Sequence, residues 1–190
     1  MFRFNKKLNI WVKEDEVSPL LESQDKLFPL SEVINPAGSY IKVFGHQHPD
    51  LDSIASSIAV AYLLNSRGMN VTACRLGKYN AETLFAMKHF SVEADLQYID
   101  TVSDSDKVIL VDHNEEVQSV DGIEEAEIME IVDHHKVGNI NSSYPINIRN
   151  MVVGSTSTIV TIMMRECNVK PTKDIAGLLL AGIISDTLLF

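Results

Sequence analysis

Residues 45–53 read GHQHPDLDS, directly after the apolar run Ile41, Val43 and Phe44. One aspartate at the end of such a run would be ordinary turn or N-cap chemistry. His46, His48, Asp50 and Asp52 instead alternate around a proline, four potential ligands in one short turn. The next stretch, 52–66, carries Ile54, Ile58, Tyr62 and Ala55, Ala59, Leu63 at helical spacing, with Gly68 where a C-terminal cap is expected. The unit is strand, polar turn, helix, and strands ending in polar turns recur along the chain.

Working outward, strands are expected at 41–45, 71–76 (VTACRL), 107–111 (KVILV) and 128–132 (IMEIV), with 97–99 or 146–149 as weaker additions. Helices are expected at 80–90, where Asn80 is a plausible N-cap, and as a pair at 155–166 and 173–185 joined across NVKPT. Short apolar runs alternating with amphipathic stretches predict an α/β fold, a doubly wound, mostly parallel sheet with helices on both faces. This domain covers residues 40–190. Residues 1–39 have no sustained period, are punctuated by Pro19, Pro29, Pro36 and Gly38, and are expected to be a partly ordered N-terminal extension of unassigned role.

Bulk properties exclude several classes. A chain of 190 residues, 45% hydrophobic and 22% charged, is expected to build one proper core. The longest apolar stretch, Ile175–Ile184, is far short of the roughly 20 residues of a membrane span. The N-terminus mixes charges of both signs without an apolar h-region, so neither a membrane partner nor export is expected. Cys74 and Cys167 stand apart with no partner at metal-ligand spacing, which predicts reduced packing residues in a cytoplasmic protein. A formal net charge of -10 argues against nucleic acid as a partner, since counterion displacement needs a basic face.

Three predicted strands end alike. Phe44-Gly45 leads into His46, His48, Asp50 and Asp52; Val111 leads into Asp112-His113-Asn114-Glu115; Val132 leads into Asp133-His134-His135. Carboxyl ends of parallel strands face one crevice, where ligands bind, so the three clusters should converge. Singly, each Asp reads as a helix cap and each His as a packing residue. Together they fail on electrostatics, because each carboxylate pair at roughly 4 Å costs about 4 kcal/mol at an effective dielectric near 20. Something positive must sit among them. Imidazole with carboxylate and no thiolate suits Mn²⁺, Co²⁺ or Mg²⁺ rather than structural zinc. The ligand count favours two ions sharing a bridging carboxylate, an arrangement that activates water for attack on phosphorus.

These residues, in this order, resemble the DHH phosphoesterase superfamily, named for the triplet Asp133-His134-His135, and within it the manganese-dependent family II inorganic pyrophosphatases. The opening motif H-x-N-P-D-x-D-S has its counterpart in HQHPDLDS. RLG at Arg75–Gly77 is followed by NAET, VDHNE at Val111–Glu115 by Gln118-Ser119, and VGxTxTI matches Val153–Ile159, while AGLLLAGIISDTLLF resembles the last core helix. The resemblance covers residues 41–190. It implies hydrolysis of pyrophosphate by a two-metal-activated water, with manganese as the cofactor.

Carried over position by position, the resemblance implies one metal held by His46, Asp50 and Asp112, and another by Asp52, Asp112, His134 and Asp186, with Asp112 as the bridge. It makes Asp112, His135 and Asp186 the catalytic set. His135 contacts substrate phosphate, while Asp133, with His48 and His113 nearby, supports the ligands from behind; apart from the resemblance, the charges of Lys136 and Arg149 make them candidates to help bind substrate. A cation would also settle a local conflict, since Asp186 late in a helix is unfavourable to the dipole. Two departures stand out: His48 where the family usually has Asn, and NMVV at 150–153 in place of AEPV. Family members continue past SDTLLF into a second domain that supplies Arg and Lys to clamp diphosphate, so the chain ending at Phe190 is expected to bind metal well and turn over pyrophosphate poorly. The resemblance also implies a homodimer. Alternatives are another superfamily phosphatase, of the exopolyphosphatase, prune-like or phosphodiesterase kind, and a non-catalytic metal-binding dimerisation module. The phosphodiesterases generally carry D-G-D where Asp50-Leu51-Asp52 stands, and a dinucleotide-binding domain would need a G-x-G-x-x-G that is absent here.

Overall fold

The computed structural model describes residues 2–5, 10–13, 41–92 and 96–188. Strands β1 (Phe2–Asn5) and β2 (Ile10–Lys13) pair antiparallel in a small sheet of their own, so the expected N-terminal extension carries regular structure there. The rest of residues 1–39 lies outside the described residues.

Among the described residues, the main sheet has six strands: β3 (Ile41–Phe44), β4 (Val71–Arg75), β5 (Gln97–Tyr98), β6 (Lys107–Val111), β7 (Glu127–Asp133) and β8 (Asn147–Asn150). Both of the weaker additions are strands. The order is β5-β4-β3-β6-β7-β8 and every pairing is parallel. From β3 the chain steps outward to β4 and β5, then returns to β6 on the other flank of β3 and steps outward again. The topological switch point is therefore between β3 and β6, and the crevice beyond their carboxyl ends is the place where such sheets bind ligands.

Among the described residues, four helices follow the predicted positions closely: α1 (Leu51–Asn65), α2 (Ala81–His89), α3 (Thr156–Glu166) and α4 (Lys173–Asp186). Strand parity decides which core each residue joins. Ile41, Val43, Val71, Ala73, Ile109, Val111 and Val132 point toward the helices and pack with Ile54, Ile58, Met87, Ile159, Ile175 and Leu178. Phe44, Cys74, Val108, Leu110, Ile128 and Ile131 form a second core on the opposite face with Val102, Val120, Ile123 and Ala126. Among the described residues, this second face is covered by the segments around Val102 and from Val120 to Ala126, next to a 3-10 turn at Glu116–Gln118, rather than by long helices. A register shift in the β6–β7 ladder, where Val108 faces Ile128 and Ile109 faces Glu130, lets Ile128 and Ile131 share one face despite their odd spacing.

Helix α1 is buried along nearly its whole length, which its sequence explains. Small residues let its neighbours approach: Ser56 Oγ lies 3.4 Å from Ser157 Oγ of α3, Gly182 of α4 sits against Asp52, and Ser53 packs against Gly45 just beyond β3, while Ile54, Ile58 and Leu63 join the helix-side core. The first turn of α1 is thereby fixed against the mouth of the crevice. That placement matters because Asp50 and Asp52 belong to it.

Candidate metal centre

The turn after β3 is built around a close approach. A Cβ at Gly45 would lie 1.8 Å from Ser53 Oγ, so only glycine lets the α1 turn fold back this tightly. Ser53 Oγ accepts the His46 N–H at 3.2 Å, and Asp50 Oδ1 caps the helix by accepting the Ser53 N–H at 2.9 Å. The second Asp50 oxygen remains free to face His46, whose Nε2 is 3.6 Å away. One carboxylate thus serves as both helix cap and partner of the imidazole.

At the end of β6, Asp112 takes a left-handed backbone (φ 63°), a conformation that Asp and Asn tolerate better than most residues. Its N–H still donates to Val132 O at 2.9 Å, so the ladder runs to the last residue while the side chain turns into the crevice. Asp112 is buried, with Oδ2 3.5 Å from His46 Nε2 and Oδ1 3.4 Å from His134 Nε2. His134 Nε2 is in turn 3.6 Å from Asp186 Oδ2 at the end of α4. His134 Nδ1 lies 3.1 Å from Val153 O, which keeps a proton on Nδ1 and leaves Nε2 to face the carboxylates. Asp133 Oδ1 accepts from the His135 ring at 2.8 Å and from the His134 N–H at 2.8 Å, and Asn114 Nδ2 donates to its other oxygen.

Three donor groups result: His46, Asp50 and Asp112; Asp52, Asp112, His134 and Asp186; and Asp112, His134 and His135, each with its ligand atoms within 4.8 Å of one another. Asp112 is common to all three. Donors on a divalent ion with bonds of about 2.0–2.2 Å stand about 3–3.6 Å apart, which is the spacing seen around Asp112. Two buried atoms at the heart of the cluster, Asp112 Oδ2 and His134 Nε2, have no hydrogen-bond partner. Buried orphans of this kind are rare in native proteins, and here both are good donors for a borderline-hard cation. The residues fit a metal centre.

The charges say the same. Burial disfavours a charge on His46, yet Asp112 and Asp50 outweigh it and push its pKa up to about 10. The neighbouring Asp112 carboxylate raises His134 to about 9 against the effect of burial. Burial and then the charge of Asp112 lift Asp52 to about 7, and burial with Asp50 and Asp112 lifts Asp186 to about 6. Asp112 is held below the ordinary carboxylate range, because its two imidazole neighbours overcome burial. Protons here stand in for the positive charge that a carboxylate cluster requires.

The other predicted residues lie apart from these groups. His48 is exposed and in none of them. It lines a separate cavity with Gln47, Leu76, Gly77, Tyr98 and Asp100. His113 is buried, with Nδ1 2.9 Å from Val111 O and Nε2 3.0 Å from Ser119 Oγ, and burial lowers its pKa to about 4, so it is a neutral structural histidine. Lys136 faces Glu115 at 3.4 Å and Arg149 faces Glu166 at 2.5 Å. Both cations are engaged with acids of their own.

What the sequence did not reveal is the part played by the first turn of α3. Asp52 accepts backbone N–H bonds from Thr156 (2.6 Å) and Ser157 (2.9 Å), and Thr156 Oγ1 donates to Asp112 Oδ1 at 3.0 Å. A signal was present: STSTIVT opens α3 with no acidic residue in its first turn, so the positive end of the helix takes its carboxylate from α1 instead. Helix α4 is held equally close. A Cβ at Gly182 would sit 2.6 Å from Ser157 Oγ and 3.3 Å from Asp52 Cα. Gly182→Ala should gain about 1 kcal/mol of helix propensity and lose about 1–3 kcal/mol to overpacking. Asp186 lies one turn further along α4, so Mn²⁺ affinity is expected to fall more clearly than stability, which parallel urea melts and metal titrations would show.

Comparison with known proteins places the chain. The model of the DHH family, N-terminal domain, matches residues 40–183. The manganese-dependent inorganic pyrophosphatase of Bacillus subtilis (strain 168) is 46% identical over 150 residues, covering 79% of this chain and 48% of that protein. A Methanococcus jannaschii crystal structure, provisionally assigned as a family II inorganic pyrophosphatase, superposes with a TM-score of 0.69 at 40% identity, over 79% of this chain and 49% of that one. An exopolyphosphatase-related protein from Bacteroides fragilis shares the fold, with a TM-score of 0.58 at 18% identity over 78% of this chain and 46% of its own. The chain spans about half the length of the curated relatives it matches. Among the described residues no helix is long and apolar enough to cross a membrane. A parallel sheet with three acidic-imidazole turns at its switch point, matched by the family model across residues 40–183, identifies the chain as a member of the DHH family in its N-terminal domain.

Proposed function

We propose that the chain is the metal-binding half of a manganese-dependent inorganic pyrophosphatase. The single observation that carries this is the sharing of Asp112 between a His46–Asp50 group and an Asp52–His134–Asp186 group. Two divalent ions held there would supply an acidified water and charge neutralisation for attack on a phosphoanhydride. His46, Asp50 and Asp112 would hold one ion, and Asp52, Asp112, His134 and Asp186 would hold the other.

His135 meets the substrate at the mouth of the crevice. Its side chain is half exposed, and Asp133 at 2.8 Å from Nδ1 fixes the ring so that, in the imidazolium form, Nε2–H would donate to a phosphoryl oxygen. Asp133 is the positioning residue here, held by Asn114. Pyrophosphate brings about two negative charges on each phosphoryl end. Lys136 and Arg149 can answer them only by leaving Glu115 and Glu166, so further cations are needed from outside residues 41–188. The B. subtilis relative has roughly as much chain again in which to provide them. A cytoplasmic homodimer belongs to the same proposal. Strand β8, outermost among the described residues and carrying the exposed Ile148, offers an edge for pairing.

The test has two stages. Mn²⁺ titration of the chain should give two ions, and hydrolysis of pyrophosphate, tripolyphosphate and a phosphodiester should then be compared in Mn²⁺, for the chain alone and joined to the C-terminal half of the B. subtilis protein. Pyrophosphate is expected to be the preferred substrate, turned over much faster by the joined form. Preference for the phosphodiester or tripolyphosphate would move the chain to another branch of the superfamily. Uptake of two ions with no hydrolysis in either form would make it a scaffold.

A further inference from the structure

We infer that Thr156 is a positioning residue that sets the plane of the Asp112 carboxylate, so that one oxygen faces each of the two donor groups. This rests on the metal-centre reading. Thr156 is fully buried at the first position of α3 and touches carboxylates from two other elements: its N–H donates to Asp52 Oδ2 and its hydroxyl to Asp112 Oδ1. Among the described residues, it is the one hydroxyl or amide group that hydrogen-bonds the Asp112 side chain.

The terminal torsion of an aspartate is soft, and a carboxylate surrounded only by imidazoles could turn to favour either one. Threonine removes that freedom. Its β-branched side chain has few rotamers in a helix, so the direction of its hydroxyl follows the helix. The helix itself is fixed by the two backbone bonds to Asp52 and by Ser155 Oγ, which accepts the Thr158 N–H at 3.2 Å. With Thr156 on Oδ1, that oxygen stays 3.4 Å from His134 Nε2 while Oδ2 stays 3.5 Å from His46 Nε2. This is the disposition a bridging carboxylate needs, and a rotated one would serve one group at the expense of the other. The role is distinct from holding the fold, because the α3 anchor uses backbone N–H groups that any residue at 156 other than proline retains.

Thr156→Val preserves shape and both backbone bonds and deletes only the hydroxyl, while Thr156→Ser restores it. Mn²⁺ titration by calorimetry should show a weakening of the second ion by about ten- to a hundredfold in the valine variant, the usual scale for losing a group that orients a ligand, with the serine variant close to wild type. Low-temperature EPR should show the exchange-coupled Mn²⁺ pair of the wild type replaced by isolated-ion signals in Thr156→Val. Wild-type affinity and coupling in the valine variant would overturn the positioning role and leave the metal centre standing. Equal losses in valine and serine variants, tracking a fall in the melting temperature of the metal-free chain, would overturn it in favour of packing. A wild-type chain that takes up no Mn²⁺ would remove the metal centre, and the positioning role with it.

Discussion

Asp112→Asn should lose uptake of the Mn²⁺ pair, with affinity down by at least about a hundredfold and pyrophosphate hydrolysis lost with it. The substitution is nearly isosteric. Asn tolerates the left-handed backbone at φ 63° as well as Asp does, and its carbonyl oxygen can still accept from Thr156 Oγ1. What disappears is the charge and one of two acceptor oxygens, at the only residue common to all three donor groups. In the metal-free chain the same carboxylate is the counter-ion of His46 and His134. Removing one member of a buried pair costs about 3–5 kcal/mol when the partner stays charged, and the imidazoles can shed their protons, so a loss near the lower end, about 3 kcal/mol at neutral pH, is expected. Calorimetric titration gives the stoichiometry and urea denaturation the stability. Two ions bound at wild-type affinity would refute the shared-carboxylate assignment, whereas a change of oligomeric state would tie Asp112 to assembly rather than chemistry.

The features legible in the sequence share a property: each is local. HQHPDLDS, VDHNE and DHH are contiguous, and the apolar runs before them place each at a strand end, so a parallel sheet brings them together by rule. The strand order that puts β3 beside β6 carries no local signal and is seen only in the structure, and the crevice forms at that junction. Asp186 was different. Nothing in its neighbourhood marks it as a ligand, and only the family resemblance brought it in. Its approach to His134 depends on α4 crossing α1 at Gly182, a contact between segments far apart in the chain.

The features that were not legible are long-range and chemically quiet. Thr156 stands in the stretch that resembles VGxTxTI, but the resemblance names no partner for it, and the bonds of Thr156 and Ser157 to Asp52 and Asp112 span distances along the chain at which composition has nothing to say. The assignment of Lys136 and Arg149 to substrate rested on sign of charge alone. Their partners, Glu115 and Glu166, could not be chosen in advance from the 26 acidic residues of the chain. His48 shows the limit of counting ligands in a turn. The bend at residues 47–48 turns it out of line with His46, toward the cavity with Tyr98 and Asp100.

Mn²⁺ affinity should rise about ten-thousandfold, counted over the pair of ions, between pH 6 and pH 8. In the metal-free chain the carboxylates raise His46 to about 10 and His134 to about 9 in spite of burial, so both imidazoles are protonated across this range. A metal must displace both protons, and each proton displaced contributes about a factor of ten per pH unit. Asp52, lifted to about 7, and Asp186, lifted to about 6, steepen the dependence at the acid end. The stability of the metal-free chain runs the other way. Groups whose folded pKa exceeds the unfolded value bind more protons when folded, so their contribution falls as pH rises. For the two carboxylates the loss begins above their ordinary value of 3.8 and is complete by about pH 7. For the histidines the stabilisation is whole below about 6.5 and is lost through pH 9 to 10. The shift of melting temperature on adding Mn²⁺ should therefore grow steadily from pH 6 to pH 8, because binding tightens while the reference state weakens. Calorimetry at pH 8 in buffers of different ionisation heats should report the release of about two protons per pair of ions. An affinity independent of pH over this interval would mean that both imidazoles are already neutral, and that the carboxylates around Asp112 are balanced by something other than protons before the metal arrives.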